Sequence, residues 1–387
     1  MDDDALIIVG AGIGGLTLAA ALARDGRRVR VLEQADALGE VGAGVGLWTN
    51  AARCLSAIGV PPSLWERGSE VRCGEIATAS GRVVSRVDVA GITSAFGAGS
   101  YVVHRAELHA AIASLVDPAT VTLGARVSGL EQDADGVTVR LDGGGAVRGA
   151  LVVGADGLRS AVRAAILGEA APSYAGETCY RGVCDLGARE PHVLREVQGR
   201  GLRCAVCSIG PGRIYWWATR PAPEGEPDVP EERKAALAAW FDGFAFGFPE
   251  ALEATRPDAI LRNDLYDRPP APSWSAGRVT LLGDAAHPTT PNLGQGACMA
   301  IEDAIVLARA LAAHPTDHAR AFAAYERARM PRTSRIVEQS RRVGRIGGWS
   351  SAPLVALRSL AFAATPDFLV DRVMRAQLGY DATRAPL

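Results

Sequence analysis

The first thirty-odd residues place the tightest constraint on what this chain can fold into. Ala5 to Val9 is a short apolar run with the length and composition of a buried parallel strand. It leads into Gly10-Ala11-Gly12-Ile13-Gly14-Gly15, after which helix formers run from Leu16 to Ala23 and Gly26 ends them. Arg28 to Leu32 reads as a second strand, with Glu33 at its end, 23 residues after Gly10. Such a strand–turn–helix–strand unit brings glycine backbone and the free N–H groups of a helix N-terminus against a pyrophosphate. The acidic residue at the second strand's end accepts hydrogen bonds from ribose hydroxyls. A G-x-G-x-x-G pattern alone is weak, and the flanking strand, helix and Glu33 are what make a dinucleotide site the expectation. NAD and FAD use the same turn, so this unit leaves the choice between them open.

Composition narrows the rest. At 387 residues the chain holds about two or three structural units. Hydrophobic residues at 48% and charged residues at 22% exclude a disordered or low-complexity polymer. Basic and acidic residues nearly balance, 41 against 43, so no electrostatic draw toward nucleic acid is expected. Seven cysteines without regular spacing argue against a disulfide framework. Cys204 and Cys207 form a C-x-x-C, but within a strand-like run and without the second ligand pair of a zinc site; two buried thiols and no metal are expected. The acidic start, Met1 to Asp4, is the opposite of a signal peptide's, and Arg358, Pro366 and Asp367 interrupt the apolar stretch Ala352 to Val370. A cytoplasmic protein with no membrane span is expected.

Farther along, Gly42 to Leu47 is a second glycine-rich stretch, read more simply as a loop than as a site. Val71 to Val89 alternates as a hairpin, and Arg105 to Leu115 reads as a helix. Val121 to Val127, Val137 to Leu141 and Val147 to Val152 read as strands. The last runs into Gly154-Ala155-Asp156-Gly157, where Asp156 suits ligand binding or helix capping. Thr178 to Asp185, Arg203 to Ile209 and Arg213 to Thr219 are strand-like. By period two, Arg213, Tyr215 and Trp217 share one face and Ile214 and Trp216 the other, so one face should line the core and the other a pocket. Val279 to Leu282 leads into Gly283-Asp284-Ala285-Ala286-His287-Pro288 and then Gly294-Gln295-Gly296 before a helix from about Ala297 to Leu311, repeating the anion-binding logic of the first unit. Arg320 to Arg345 reads as a long arginine-rich helix with a solvated face.

Three separated motifs together resemble the single-component FAD-dependent monooxygenases, the aromatic hydroxylases with a p-hydroxybenzoate-hydroxylase-type fold: Gly10 to Gly15 with Glu33, Asp156-Gly157 with Arg159 and Ser160, and Gly283 to Gly296. The resemblance implies FAD as cofactor. Gly12, Gly14 and Gly15 would meet its pyrophosphate, Glu33 and Gln34 its adenosine ribose, and Val127 its adenine. Gly46 would lie on the flavin side, and Arg105, Asp156 and Asp284 would also reach the cofactor. The backbone of Gly294, Gln295 and Gly296 would stabilise negative charge on the reduced ring. NADH or NADPH would visit as a transient co-substrate, since a second G-x-G-x-x-G is absent. The compact chain is similar to urate, hydroxynicotinate and salicylate hydroxylases of this kind. In the urate branch an arginine and a tyrosine on neighbouring strands hold and activate substrate, and Arg203 and Tyr215 fall on those positions. Their plain alternatives are a surface cation and a core aromatic. Asn292 departs from the aspartate expected in that branch.

The implied reaction is hydroxylation of a small aromatic or heteroaromatic substrate with NAD(P)H and O2 through a flavin C4a-hydroperoxide, by a monomer or dimer. Epoxidation or Baeyer–Villiger-type oxidation of a natural product on the same fold, or a non-catalytic FAD-binding role, stay open. The expected architecture is α/β. A doubly wound, Rossmann-type FAD domain comes from residues 1–70, 101–172 and 274–344. Residues 71–100 and 173–273 form an inserted, mainly antiparallel β-sheet substrate domain, and 345–387 form C-terminal helices.

Overall fold

The computed structural model describes residues 4–39, 42–187 and 192–387, so Met1 to Asp3 of the acidic start lie outside the described residues. Its first sheet has six strands, in the order Ser275–Ala276, Val279–Leu281, Leu151–Gly154, Leu6–Val9, Val29–Leu32 and Val121–Thr122. All neighbours run parallel except the first pair. The two central strands, Leu6–Val9 and Leu151–Gly154, are buried along their whole length. Continuous apolar runs suit that position because helices cover both faces of such a sheet. The Ile13–Arg24 helix is the first crossover, and its first ten residues are buried against the sheet and the Gly296–Ala313 helix.

The second sheet has seven strands, in the order Leu261–Asp267, Ser173–Asp185, Arg213–Pro221, Arg203–Ser208, Val193–Gln198, Cys73–Thr78 and Val83–Asp88. It is antiparallel but for the Val193–Gln198 and Cys73–Thr78 pair. Residues 73–88 and 173–267 supply it, while the first sheet draws on residues 6–32, 121–154 and 275–281. Both faces of the seven-stranded sheet are covered. Ile214, Trp216 and Cys204 pack with Phe241 and Phe248 on the outer face, whereas Tyr215 and Cys207 pack with Ala43, Val71 and Val102 on the inner one. Cys204 and Cys207 thus sit in opposite cores. Burial pushes the Cys207 thiol up to about 12 and the Cys204 thiol well above its ordinary value.

Three sequence readings need correction. Val121 to Val127 is two elements: Val121–Thr122 closes the six-stranded sheet, and Val127–Gln132 opens a three-stranded sheet with Val137–Leu141 and Ala146–Gly149. Gly124, at φ +67°, turns the chain between them. The run from Val147 to Val152 likewise divides between two sheets, where Ala150 donates its N–H to Ala5. The third correction concerns the arginine-rich helix, His318–Gly347. It is not simply solvated: Arg329 is fully buried, Arg332 binds Glu302, and Arg341 holds Asp267 of the seven-stranded sheet at 2.6 Å. Hydrophobic periodicity could not show this, because the acids that answer these arginines lie on other elements.

The Gly42 to Leu47 stretch contributes a strand, Gly44–Leu47, paired antiparallel with Tyr101–His104. At the C-terminus, Ala352–Ala364 and Asp367–Leu378 are two helices bent by 89°. Among the described residues no single helix is long and apolar enough to cross a membrane, and no group of side chains could hold a metal ion.

Candidate active site

The glycine turn separates into packing glycines and one open glycine. A Cβ on Gly10 would lie 2.5 Å from the Ala155 carbonyl oxygen, one on Gly15 2.0 Å from that of Gly10, and one on Gly14 2.6 Å from Leu282. Around Gly12 a Cβ would meet nothing within 4 Å. Gly14 and Gly15 therefore let helix and strands close up, while Gly12 leaves an open surface at a helix N-terminus that no side chain caps. Glu33 braces the turn from the second strand: its carboxylate accepts from the N–H of Ala11 at 2.7 Å and of Ala35 at 2.9 Å. Gln34 is exposed beside it. Segment 124–125 is bonded to the same stretch, Gly124 donating to Ala35 and Ala125 to Glu33, which brings Val127 to this end of the site. His109 adds a support that the motif did not reveal, its Nε2 donating to the Ala11 carbonyl at 2.7 Å.

At the other end, Gly46, Arg105, Asp284 and Gly294 to Gly296 converge. The Arg105 N–H donates to Ala43, at the foot of the Gly44–Leu47 strand. The Cys298 thiol reaches the carbonyls of both Gly46 (3.6 Å) and Gly294 (3.8 Å), clasping the two glycine segments together. The Gly296–Ala313 helix starts with no side-chain cap, as the first helix does. Asp284 opens to solvent in this region although protein surrounds it deeply; desolvation raises its carboxyl pKa, against the pull of His287 and Arg105. Asp156 is already engaged. It accepts from Ser160 Oγ at 2.5 Å and from the Val162 N–H at 3.2 Å, at the start of the Ala161–Leu167 helix, and burial raises its pKa. That is the capping arrangement, and Arg163 of the same helix donates to the carbonyls of Ala285 and Ala286.

Beneath these loops lies a closed ionic network. Arg329 pairs with Asp303 at 2.6 Å and Glu302 at 2.7 Å, all three side chains fully buried. Asp303 also binds His287 Nε2 at 2.5 Å and the Gly283 N–H at 3.1 Å. Burial would raise the Asp303 pKa, but His287 and Arg329 override it and hold it at about 2. Glu302 accepts from Asn50 Nδ2 at 2.6 Å, and the same amide donates to Gln295 Oε1 at 3.1 Å. Two acids on one helix thus fix the two loops that carry the third motif.

The inner face of the seven-stranded sheet closes the site. Strand register puts Cys207 opposite Tyr215, Ala205 opposite Trp217 and Arg203 opposite Thr219, so Tyr215, Trp217 and Arg203 share that face along about 13 Å. Arg181, opposite Trp217 on the next strand, shares it too and donates to Asn263 at 2.5 Å. The sequence offered no signal for Arg181, whose role in the face depends on register. Tyr215 is buried against Gly44, where a Cβ would fall 2.3 Å from its ring. Desolvation raises the phenol's pKa, so it stays a neutral hydroxyl. Arg203 is not a surface cation. It is 1% exposed, pairs with Glu177 at 2.7 Å and donates to Asn292 Oδ1 at 2.7 Å. Asn292 in turn donates to Thr290 Oγ1 and to the Ser340 carbonyl. A carboxylate there would set an acceptor against that carbonyl, which explains the amide at this position.

Residues 3–340 match the family described as FAD binding domain. The chain belongs to this family. It is 43% identical over 349 residues to the aurachin C monooxygenase/isomerase of Stigmatella aurantiaca, covering 90% of each chain. It is 35% identical to the 3-hydroxybenzoate 6-hydroxylase of Polaromonas naphthalenivorans, over 95% of this chain and 94% of that one. Among solved structures it is similar to Klebsiella pneumoniae HpxO complexed with FAD and uric acid, with a TM-score of 0.90, 29% identity, and 97% and 96% of the two chains covered. The protein is an FAD-dependent monooxygenase of the aromatic-hydroxylase type.

The residues present fit FAD. Gly12 offers an open cradle at an uncapped helix, a second uncapped helix stands at the opposite end, and two buried donors beside that second helix, Trp48 Nε1 and Gln295 Nε2, have no partner among the described residues. Of the residues that brace these loops, Asn50, His109, Glu302, Asp303 and Arg329 escaped the motif reading. Each acts through a contact between elements far apart in sequence.

Proposed function

We propose that the monooxygenase uses NADH or NADPH and dioxygen to hydroxylate a small aromatic or heteroaromatic ring held between the FAD and the inner face of the seven-stranded sheet. In this reading residues 71–100 and 173–273 are the substrate unit. FAD runs from Glu33, Gln34 and Val127, past Gly12, Gly14 and Gly15, to Arg105, Asp284, Gly46 and the loop Gly294 to Gly296. Asp156 acts on the cofactor region through the helix it caps. When bound, the flavin accepts hydride from the nicotinamide and activates dioxygen for transfer of one oxygen atom.

The observation that carries the substrate assignment is the shared face of Arg181, Trp217 and Tyr215, a flat aromatic surface with a cation and a neutral hydroxyl at its edges. Trp217 stacks the ring. Tyr215 hydrogen-bonds an oxygen on it, and the Arg181 guanidinium favours that oxygen's ionised form. Arg203, its charge answered by Glu177, positions the Asn292 loop rather than offering a free cation to substrate. Relatives named for hydroxybenzoates and for a heptyl-hydroxyquinolone support a ring substrate of this size.

Stopped-flow reduction of the flavin by NADH or NADPH under anaerobic conditions tests the reading, with hydroxybenzoates, urate and 4(1H)-quinolones added in turn. Acceleration by a ring compound, followed by its oxygenation when air is admitted, is expected. Reduction that no ring compound alters, with hydrogen peroxide as the only product in air, would contradict it.

A further inference from the structure

We propose that the Trp48 indole N–H is a hydrogen-bond donor to the carbonyl-bearing edge of the flavin ring and sets the flavin's reduction potential. Trp48 is the N-cap of the Thr49–Ile58 helix, and its ring packs against both the sheet core and the Tyr215 cluster. Its Nε1 is buried, and no acceptor among the described residues meets it. Buried donors are nearly always paired, so an unpaired one beside a ligand site points at the ligand.

Its position says which part of the ligand. A Cβ on Gly294 would lie 3.0 Å from Trp48 Nε1 and one on Gly46 3.9 Å, so the N–H lies in the gap between the two glycine segments. Cys298 clasps those segments through their carbonyls. A second unpaired buried donor, Gln295 Nε2, belongs to the same loop. Asn50 fixes its direction, because the Asn50 amide is committed to Glu302 and takes the Gln295 oxygen, leaving the Gln295 NH2 turned away from it. The start of the Gly296–Ala313 helix adds uncapped N–H groups. Three kinds of donor converge where negative charge grows on flavin reduction, and neither side-chain donor has an acceptor among the described residues.

The inference rests on the flavin placement proposed above. Its test is the midpoint potential of FAD-loaded Trp48→Phe, by dye equilibration, against the wild-type holoenzyme. Phenylalanine keeps an aromatic body and removes the donor. The expected result is a lower potential, the equilibrium constant for reduction falling about tenfold, or about 30 mV for a two-electron couple. The visible flavin spectrum should shift with it. An unchanged potential in a variant that still binds FAD and is still reduced by NAD(P)H would overturn the donor while leaving the placement intact. A variant with unchanged potential but weakened ring-compound binding would also overturn it, by assigning the indole to substrate. Titration of ¹⁵N-labelled wild-type apoprotein with FAD needs no variant to fold: an indole N–H resonance moving downfield supports the proposal, and indole resonances that stay in place overturn it.

Discussion

Two buried arginines in this monooxygenase do different work, although each stands between a pair of acids. Arg329 is enclosed with Glu302 and Asp303 inside the helical layer, all three at zero exposure, and the acids reach out to Gly283, His287 and Asn50. Arg203 sits at a seam, joining Glu177 of the sheet to the Asn292 loop, with Glu196 3.8 Å away and partly open. The first cluster is a closed frame that holds the Gly283 and Gly294–Gly296 loops in place. The second is a joint between the seven-stranded sheet and one of those loops. The frame should therefore govern stability, and the joint should govern how substrate and flavin communicate.

Breaking the frame should have the largest effect. Arg329→Met removes the cation shared by two buried carboxylates, leaving Glu302 with Arg332 alone and Asp303 with His287 alone, a loss of about 3–5 kcal/mol. Thermal unfolding would show it, and FAD would be retained poorly because Gln295 and Gly283 lose their supports. Acid tests the same frame without mutation. Asp303 titrates at about 2 in the folded protein and near 3.8 ordinarily. Its contribution is complete above pH about 4 and disappears as pH falls toward 2, a loss of about 2 kcal/mol. Asp303→Asn should flatten that part of the stability–pH curve.

The joint should respond differently. Glu177→Gln should lower stability by about 1–3 kcal/mol, the cost of a buried partner removed. It should also uncover the Arg203 charge, lowering KM for a ring carboxylate relative to a neutral ring while FAD affinity stays constant. Equal effects on both substrates would erase the distinction between joint and frame. The smallest effect belongs to the thiols. Cys207→Ala should cost about 1 kcal/mol, and Cys204 and Cys207 should resist thiol reagents until the protein unfolds, since burial keeps both protonated.

What could be read from the sequence follows the same division. The Gly10–Gly15 turn, Glu33 and the Gly283–Gly296 stretch are local: spacing, a strand before and a helix after define them, and the structure places strands and helices there as expected. The Arg203–Ser208 and Arg213–Pro221 strands were legible by alternation. The split of Val121 to Val127 between two sheets was not, because a single glycine conformation decides it. Nor was the burial of Arg329, since the acids it meets are about 26 residues away on another helix. Arg181 and Trp48 escaped for a related reason. Their importance comes from register and from a missing partner, and neither leaves a mark on sequence spacing.

The most direct test of the account is the concentration dependence of flavin reduction for the most effective ring compound, in wild type and in Trp217→Leu. Loss of the stacking surface should weaken apparent binding about tenfold, or roughly 1.4 kcal/mol, with FAD content and basal reduction unchanged. Equal half-saturation in the two proteins would mean that the ring does not lie on this face of the sheet.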